Sequence, residues 1–239
     1  MRYALNIAVY ATVLGSFLLI AEYIKQDPTP GVYATKILVG RNKTVHKALF
    51  SPDNNPTDLL IDLIDAEKKQ ILVAIFTLTD KNIAQALIDA RKRGVRIEIV
   101  ADPGYLRPET YSKIDFLAES GINIFTFNTF PCKPKGYCLM HNKFAIFSKN
   151  ILGKALLWTG SFNWTRSANT SNQENIIVLD DIEIIEAFTK QFEVLKKRSK
   201  IISSKPYHQN NTEPQDGCEA EQNSPAQESW WHAFINRLL

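Results

Sequence analysis

The sequence is poor in cysteine, with three in 239 residues, and no two form a CxxC pair. That excludes a disulfide-built scaffold and a zinc knuckle. Histidine is equally scarce, so imidazole chemistry can rest only on His46, His141, His208 or His232. No excess of glycine or proline marks a collagen-like or wholly disordered chain, and 45% hydrophobic with 22% charged residues is ordinary globular usage. Neither sign of charge dominates: 28 Lys and Arg face 25 Asp and Glu, for a net charge of +3. That mild basicity is by itself thin evidence for a nucleic-acid or anionic-lipid partner.

Charge is absent altogether from residues 4–21, ALNIAVYATVLGSFLLIA. A run of this length reaches the lower end of what spans a bilayer. Residues 1–24 therefore read as a transmembrane anchor or a signal peptide. Leu19 two before Ala21 makes a poor cleavage pattern, which favours an uncleaved anchor. Arg2 before the run points to a cytoplasmic amino terminus and a domain on the extracytoplasmic side, as in a bacterial cell envelope. Residues 25–45, with Asp27-Pro28-Thr29-Pro30-Gly31, read as a linker of turn and extended chain.

Residues 46–198 alternate strand-like and helix-like runs. Gln70–Thr77, Val95–Ala101, Ile122–Phe127, Leu139–Phe147, Ala155–Thr159 and Asn175–Leu179 are rich in β-formers. Asp80 caps a helix closed by Gly94, Asn55-Pro56 opens an earlier one, Pro108–Ser120 reads as another, and Asp181–Arg198 is a long amphipathic helix. The order predicts an α/β layered sandwich. Residues 36–198 hold 23 basic and 18 acidic side chains, so this part is more basic than the whole. Residues 199–228 are polar and read as disordered. Residues 229–239 (SWWHAFINRLL) form an amphipathic aromatic helix, to dock on its own domain, a partner or a membrane surface.

Chemistry concentrates between 141 and 174. His141 and Lys143 stand two apart on an expected strand, which puts both on one face. An imidazole beside an ammonium makes sense around an anion: the lysine binds phosphate oxygens, and the imidazole attacks phosphorus or moves protons. In Gly160-Ser161-Phe162-Asn163 the glycine permits close backbone approach, while Ser161 and Asn163 alternate onto one face to donate to the same phosphate. Glu174 opens the next strand, where a carboxylate on Nδ1 of His141 would fix its tautomer. Cys132 and Cys138 flank five residues just before His141. An exported domain can close that loop with a disulfide, with two free thiols as the alternative. A metal site there lacks third and fourth ligands. Lys133, Lys135, Tyr137 and Arg166 are candidates to line a groove for an anionic substrate, and His46 reads as structural.

The set HxK, GSxN and QEN resembles the phospholipase D superfamily, and more narrowly its short members with one HKD motif per chain: bacterial Nuc-type endonucleases and the mitochondrial cardiolipin hydrolase group. The likeness covers about residues 46–198 and includes Phe50-Ser51-Pro52, Gly94-Val95-Arg96-Ile97 and the strand end at Asp102. It implies a phospholipase D-like sandwich, a mixed central sheet flanked by helices. Two departures stand out. The motif is HxKxxxxD, but the aspartate position is Ser148, and the interval from His141 to Ser161 is lengthened around residues 151–157, read as a longer hairpin. The cysteine/histidine zinc insertion of some animal members is absent.

The resemblance implies a metal-independent phosphodiesterase without cofactor. His141 would form a phosphohistidine, and a second histidine would protonate the leaving alcohol. With no second HxK, a homodimer would bring two His141 together about a two-fold axis, ringed by two Lys143 and two Asn163. Three functions remain: a membrane-held phospholipase D acting on phospholipid, placed slightly ahead because of the anchor; an endonuclease cutting DNA or RNA; and a degenerate, non-catalytic envelope protein, suggested by Ser148.

Overall fold

The structure, a computed structural model, describes residues 29–40, 42–105, 111–128 and 138–202. Residues 4–21, the loop residue Cys132, Lys133, Lys135 and Tyr137, and the segments expected as a disordered tail and an aromatic helix beyond residue 202 lie outside them. Among the described residues no helix is long and apolar enough to cross a membrane.

Eight strands form one mixed sheet: β1 (His46–Ser51), β2 (Gln70–Ile75), β3 (Arg96–Ala101), β4 (Asn123–Phe127), β5 (Lys143–Phe147), β6 (Leu156–Gly160), β7 (Glu174–Leu179) and β8 (Ser199–Ile202). Their order is β1-β7-β6-β5-β2-β3-β4-β8. Only β2–β3 and β3–β4 are parallel pairs. Among the described residues the α-helices are α1 (Val32–Leu38), α2 (Pro56–Ala66), α3 (Lys81–Lys92), α4 (Ile114–Glu119), α5 (Arg166–Thr170) and α6 (Ile182–Lys197).

Period-two alternation sorts the strand side chains into two cores. Ile71, Val73, Ile75, Ile97, Ile99, Ala145 and Phe147 face α1–α4 in the larger one. Leu72, Ala74, Val100, Phe144, Ile146 and Leu157 face α6 through Ile185, Phe192 and Leu195 in the smaller. The central strands carry apolar side chains on both faces, as strands covered by helices on both sides must. The layered sandwich expected from the sequence is therefore present.

Several boundaries differ from the sequence reading. The stretch read as a linker contains α1, whose Ala34 and Leu38 are buried. Its first-turn amides, on Gly31 and Ala34, donate to Asp62 of α2 at 2.8 and 2.7 Å, a cap supplied by another helix and so invisible to local pattern. Ser199–Ile202, assigned to the tail, instead pairs with β4 as an edge strand. The helix expected over 108–120 is confined, among the described residues, to Ile114–Glu119. The longer hairpin between β5 and β6 is present and holds a 3-10 turn at Ile151–Gly153.

The turn after β5, where the motif aspartate is missing, is tied down by Glu67, which is only 2% exposed. Its carboxylate accepts from Lys69 N at 2.8 Å, Gln70 N at 3.0 Å, Lys149 N at 2.9 Å and the Asn150 side-chain amide at 3.2 Å. Asn150 also donates to the Leu63 carbonyl at 2.8 Å. One carboxylate thus joins the end of α2, the start of β2 and the end of β5. Removing it strands several buried donors. Glu67→Ala should lower stability by about 3 kcal/mol, read as a lower denaturant midpoint at unchanged slope. A midpoint equal to wild type would show that the knot carries no stability.

Candidate functional site

The sheet order converges the ends of six strands. β5 runs antiparallel to β2, so Lys143 pairs with Ile75. Phe144 pairs with Thr159 near the end of β6, Gly160 with Ile176 near the start of β7, and Glu174 with Ser51 at the end of β1. Ala101, last in β3, pairs with Ile75. His141, Lys143, Ser161, Asn163 and Glu174 consequently gather at one end of the sheet, with Phe76 and Asp102 just past β2 and β3. His46 starts β1 at the opposite end and pairs with Asp180 at 3.6 Å, the structural part expected of it.

Gly160 is dictated by its neighbour strand. A Cβ there would lie 2.0 Å from the Asn175 carbonyl oxygen. No side chain fits, so the expected close approach is real, and its partner is the β7 backbone. The pairing continues past the strand: Ser161 N donates to Asn175 Oδ1 at 3.0 Å, and Asn175 N to Ser161 Oγ at 3.0 Å.

His141 and Lys143 both meet the Phe76 ring, but of the two only Lys143 belongs to the strand. The strand begins at Lys143, and His141 lies in the extended segment before it. The His141 side chain is exposed while Lys143 is 6% exposed. Lys143 Nζ donates back to the His141 carbonyl at 2.8 Å and lies 5.0 Å from the centroid of the Phe76 ring. That ring meets the imidazole edge-on at 4.3 Å between centroids. Among the described residues Lys143 makes no salt bridge. Burial holds the Lys143 pKa below the usual lysine value, opposed by the negative charge of Glu174. Burial and then the Lys143 charge push the His141 pKa below the ordinary 6.5, opposed by Asp102. Both causes favour the neutral imidazole, the state a nucleophile needs.

Two other assignments come out differently within one chain. Glu174 does not reach His141: its oxygens accept from Ser161 Oγ at 2.5 Å and from the Asn172 amide at 3.1 Å. The Ser161 hydroxyl proton is thereby committed to a carboxylate rather than held free for a phosphate. Asn163 follows the buried Phe162, and its Oδ1 is buried without a hydrogen-bond partner. Arg166 opens α5 and is exposed. Cys138 is disulfide-bonded, and both cysteines able to pair with it, Cys132 and Cys218, lie outside the described residues. Among the described residues no cluster of three or more His, Cys, Asp or Glu side chains could hold a metal ion. Phe76 and Asn172 were missed by the sequence reading. Phe76 enters through the pairing of β2 with β5, whereas Asn172 enters through its contact with Glu174 two residues on.

Comparisons with known proteins agree with this geometry. The family described as "Cardiolipin synthase, PLD-like domain" matches residues 60–196. The chain is 34% identical over 144 residues to mitochondrial cardiolipin hydrolase of Chlamydomonas reinhardtii, covering 59% of each protein. It is 31% identical over 150 residues to a phospholipase D of Rickettsia bellii, covering 63% of this chain and 68% of that one. Among solved structures it is similar to Nuc of Salmonella typhimurium, a phospholipase D family member, with TM-score 0.58 and 28% identity, over 67% of this chain and 99% of that one. The fold is shared with NucT from Helicobacter pylori at TM-score 0.59 and 22% identity.

The Lys143 charge presses on the imidazole, so Lys143→Met, which keeps the bulk and removes the charge, should raise the His141 pKa. Proton NMR titration, with the signal assigned through His141→Ala, checks this; an unmoved or lowered pKa refutes the electrostatic contact.

Proposed function

The chain belongs to the phospholipase D-like family, and we propose that it is a phosphodiesterase working through His141. One observation carries this: a buried ammonium with no carboxylate salt bridge among the described residues sits beside an exposed imidazole at the converged strand ends. A buried cation is costly unless paired. A phosphodiester anion supplies the missing partner, and the imidazole beside it is ready to attack.

The reaction has two displacements. His141 attacks phosphorus, a P–N bond forms, and the P–O bond to the leaving alcohol breaks as a second imidazole donates its proton. Water then attacks the phosphohistidine with that imidazole as base, the P–N bond breaks, and phosphate ester and free imidazole return. Lys143 and the Asn163 amide stabilise the charge on the non-bridging oxygens. Positive charge comes from lysine, so no metal enters.

A second copy of His141 supplies the second imidazole, as one HxK motif per chain implies, and His46 is at the far end of the sheet. The surface beside the site suits such an assembly. Helix α6 covers β2–β5 and β8. The continuation of that face over β6, β7 and β1 is left open, exposing Ile177 at 45% and Phe50 at 55%. Pairing sets Ile177 beside Thr159 and Ala48, and Phe50 beside Asn175, on that face. The apolar patch runs up to Ser161 and Asn175. Pairing two copies there brings both His141 toward one two-fold axis and opens Glu174 to the other copy's imidazole.

Phospholipid phosphodiesters are the substrate class the relatives named cardiolipin hydrolase and phospholipase D support, and an anchor in residues 4–21 would hold the site at a membrane on the extracytoplasmic side. The excess of basic residues over 36–198 favours nucleic acid as a second reading. The Cys138 disulfide suits an oxidising compartment.

Full-length wild type and His141→Ala should be offered anionic phospholipid vesicles and a labelled single-stranded oligonucleotide, with EDTA present. Turnover by wild type alone, unchanged by EDTA, is expected, and the substrate consumed selects between the two readings. Turnover restored only by added metal, or retained by His141→Ala, overturns the mechanism. Ile177→Asp with Phe50→Asp should yield a folded monomer in sedimentation with activity reduced at least about a hundredfold; a fully active monomer overturns the shared site.

A further inference from the structure

His141 is exposed, yet its backbone is gripped on both sides. On the carboxyl side, Lys143 Nζ holds the His141 carbonyl. On the amino side, the Met140 amide donates to Asp102 Oδ2 at 2.8 Å. Met140 is 1% exposed and packs into the smaller core with Phe144 and Ile146. Asp102 is itself 1% exposed, and its other oxygen accepts from Gly104 N at 2.8 Å. A carboxylate so buried is seldom placed for stability alone, since apolar packing would serve as well. Its position directly past β3, beside the end of β2, leaves it against the segment that carries the imidazole.

The arrangement has a physical purpose. A nucleophile must be held to fractions of an ångström, yet His141 lies outside any strand ladder and has no regular backbone pairing to hold it. Its side chain touches Phe76, a ring edge that limits tilt without directing a hydrogen bond. The charged groups facing it are Lys143 from β5 and Asp102 from the end of β3, of opposite sign.

Resting on the reading that His141 is the nucleophile, we infer that Asp102 is the positioning residue for it, fixing the peptide before the imidazole and balancing the Lys143 charge on its other side. Ordering of the Met140 amide is the geometric part. The electrostatic part follows from sign: a negative neighbour favours the imidazolium, so Asp102 keeps the imidazole from becoming too weak a base beside a buried ammonium.

Two variants of the full chain separate these parts. Asp102→Asn keeps an acceptor for the Met140 amide but removes the charge. Asp102→Ala removes both. With a chromogenic aryl phosphodiester as probe, the acid limb of kcat/KM in Asp102→Asn should move to lower pH, because His141 loses a charge that raised its pKa. Asp102→Ala should lose kcat by about a hundredfold with KM little changed, the size of loss expected from an ångström of misplacement. The His141 resonance in NMR titration should shift to lower pH in Asp102→Asn whether or not the probe turns over. Failure of the phosphodiesterase reading, seen as a silent wild type, is therefore distinguishable from failure of this one. An unmoved His141 titration together with wild-type kcat in folded Asp102→Ala would overturn the inference. So would a raised KM at unchanged kcat, which would make Asp102 a substrate contact.

Discussion

A single ammonium, buried at the rim of the sheet, sets the terms for everything around it. Lys143 starts β5 with its charge nearly sealed from water, and its described partners are a carbonyl, a ring face and the more distant charge of Glu174. None neutralises it directly. Such a charge is tolerated only where surrounding structure leaves it no escape and where a bound anion completes the site. The convergence of β1, β2, β3, β5, β6 and β7 at one sheet end supplies that confinement, and the same charge adds to the burial that lowers the His141 pKa.

Around this centre the machinery splits into groups that touch the reaction and groups that aim it. In the proposed reaction His141, Lys143 and Asn163 are the groups that face the diester. Glu174 and Ser161 form a carboxylate–hydroxyl pair anchored to the β6–β7 register, which Gly160 permits by having no side chain. The open apolar strip through Ile177 and Phe50 joins these to a second copy in the dimer proposed above. The same surface that completes the chemistry would otherwise be left wet.

Much of this was legible in the sequence. Alternating runs gave the layered α/β fold, and the chemistry-bearing residues of HxK, GSxN and QEN do assemble at one sheet end. What failed did so for physical reasons. Period two was extended back to His141, but the strand ladder begins at Lys143, so the pattern was run past its boundary even though both side chains meet Phe76. The linker hid α1 because its amides are capped by Asp62 from another helix. Glu174 was assigned to His141 by motif logic, whereas cross-strand proximity gave it to Ser161. Phe76 enters the site through antiparallel pairing of β2 with β5, and Asp102, noted in the sequence only as a strand end, through parallel pairing of β3 with β2, relations between distant segments that no local window carries.

The Glu67 knot has a further consequence. It grips Lys149 just past the carboxyl end of β5, six residues from the ammonium at the amino end, so a single short strand carries a stabilising contact and an electrostatic burden at opposite tips. The two can drift independently. Substitutions around Glu67 and position 148 can reset how much destabilisation the chain tolerates without moving an atom near the phosphate, and a lineage can lose the motif aspartate while keeping the reaction. Ser148 is then a record of slack in the scaffold rather than of decay in the site.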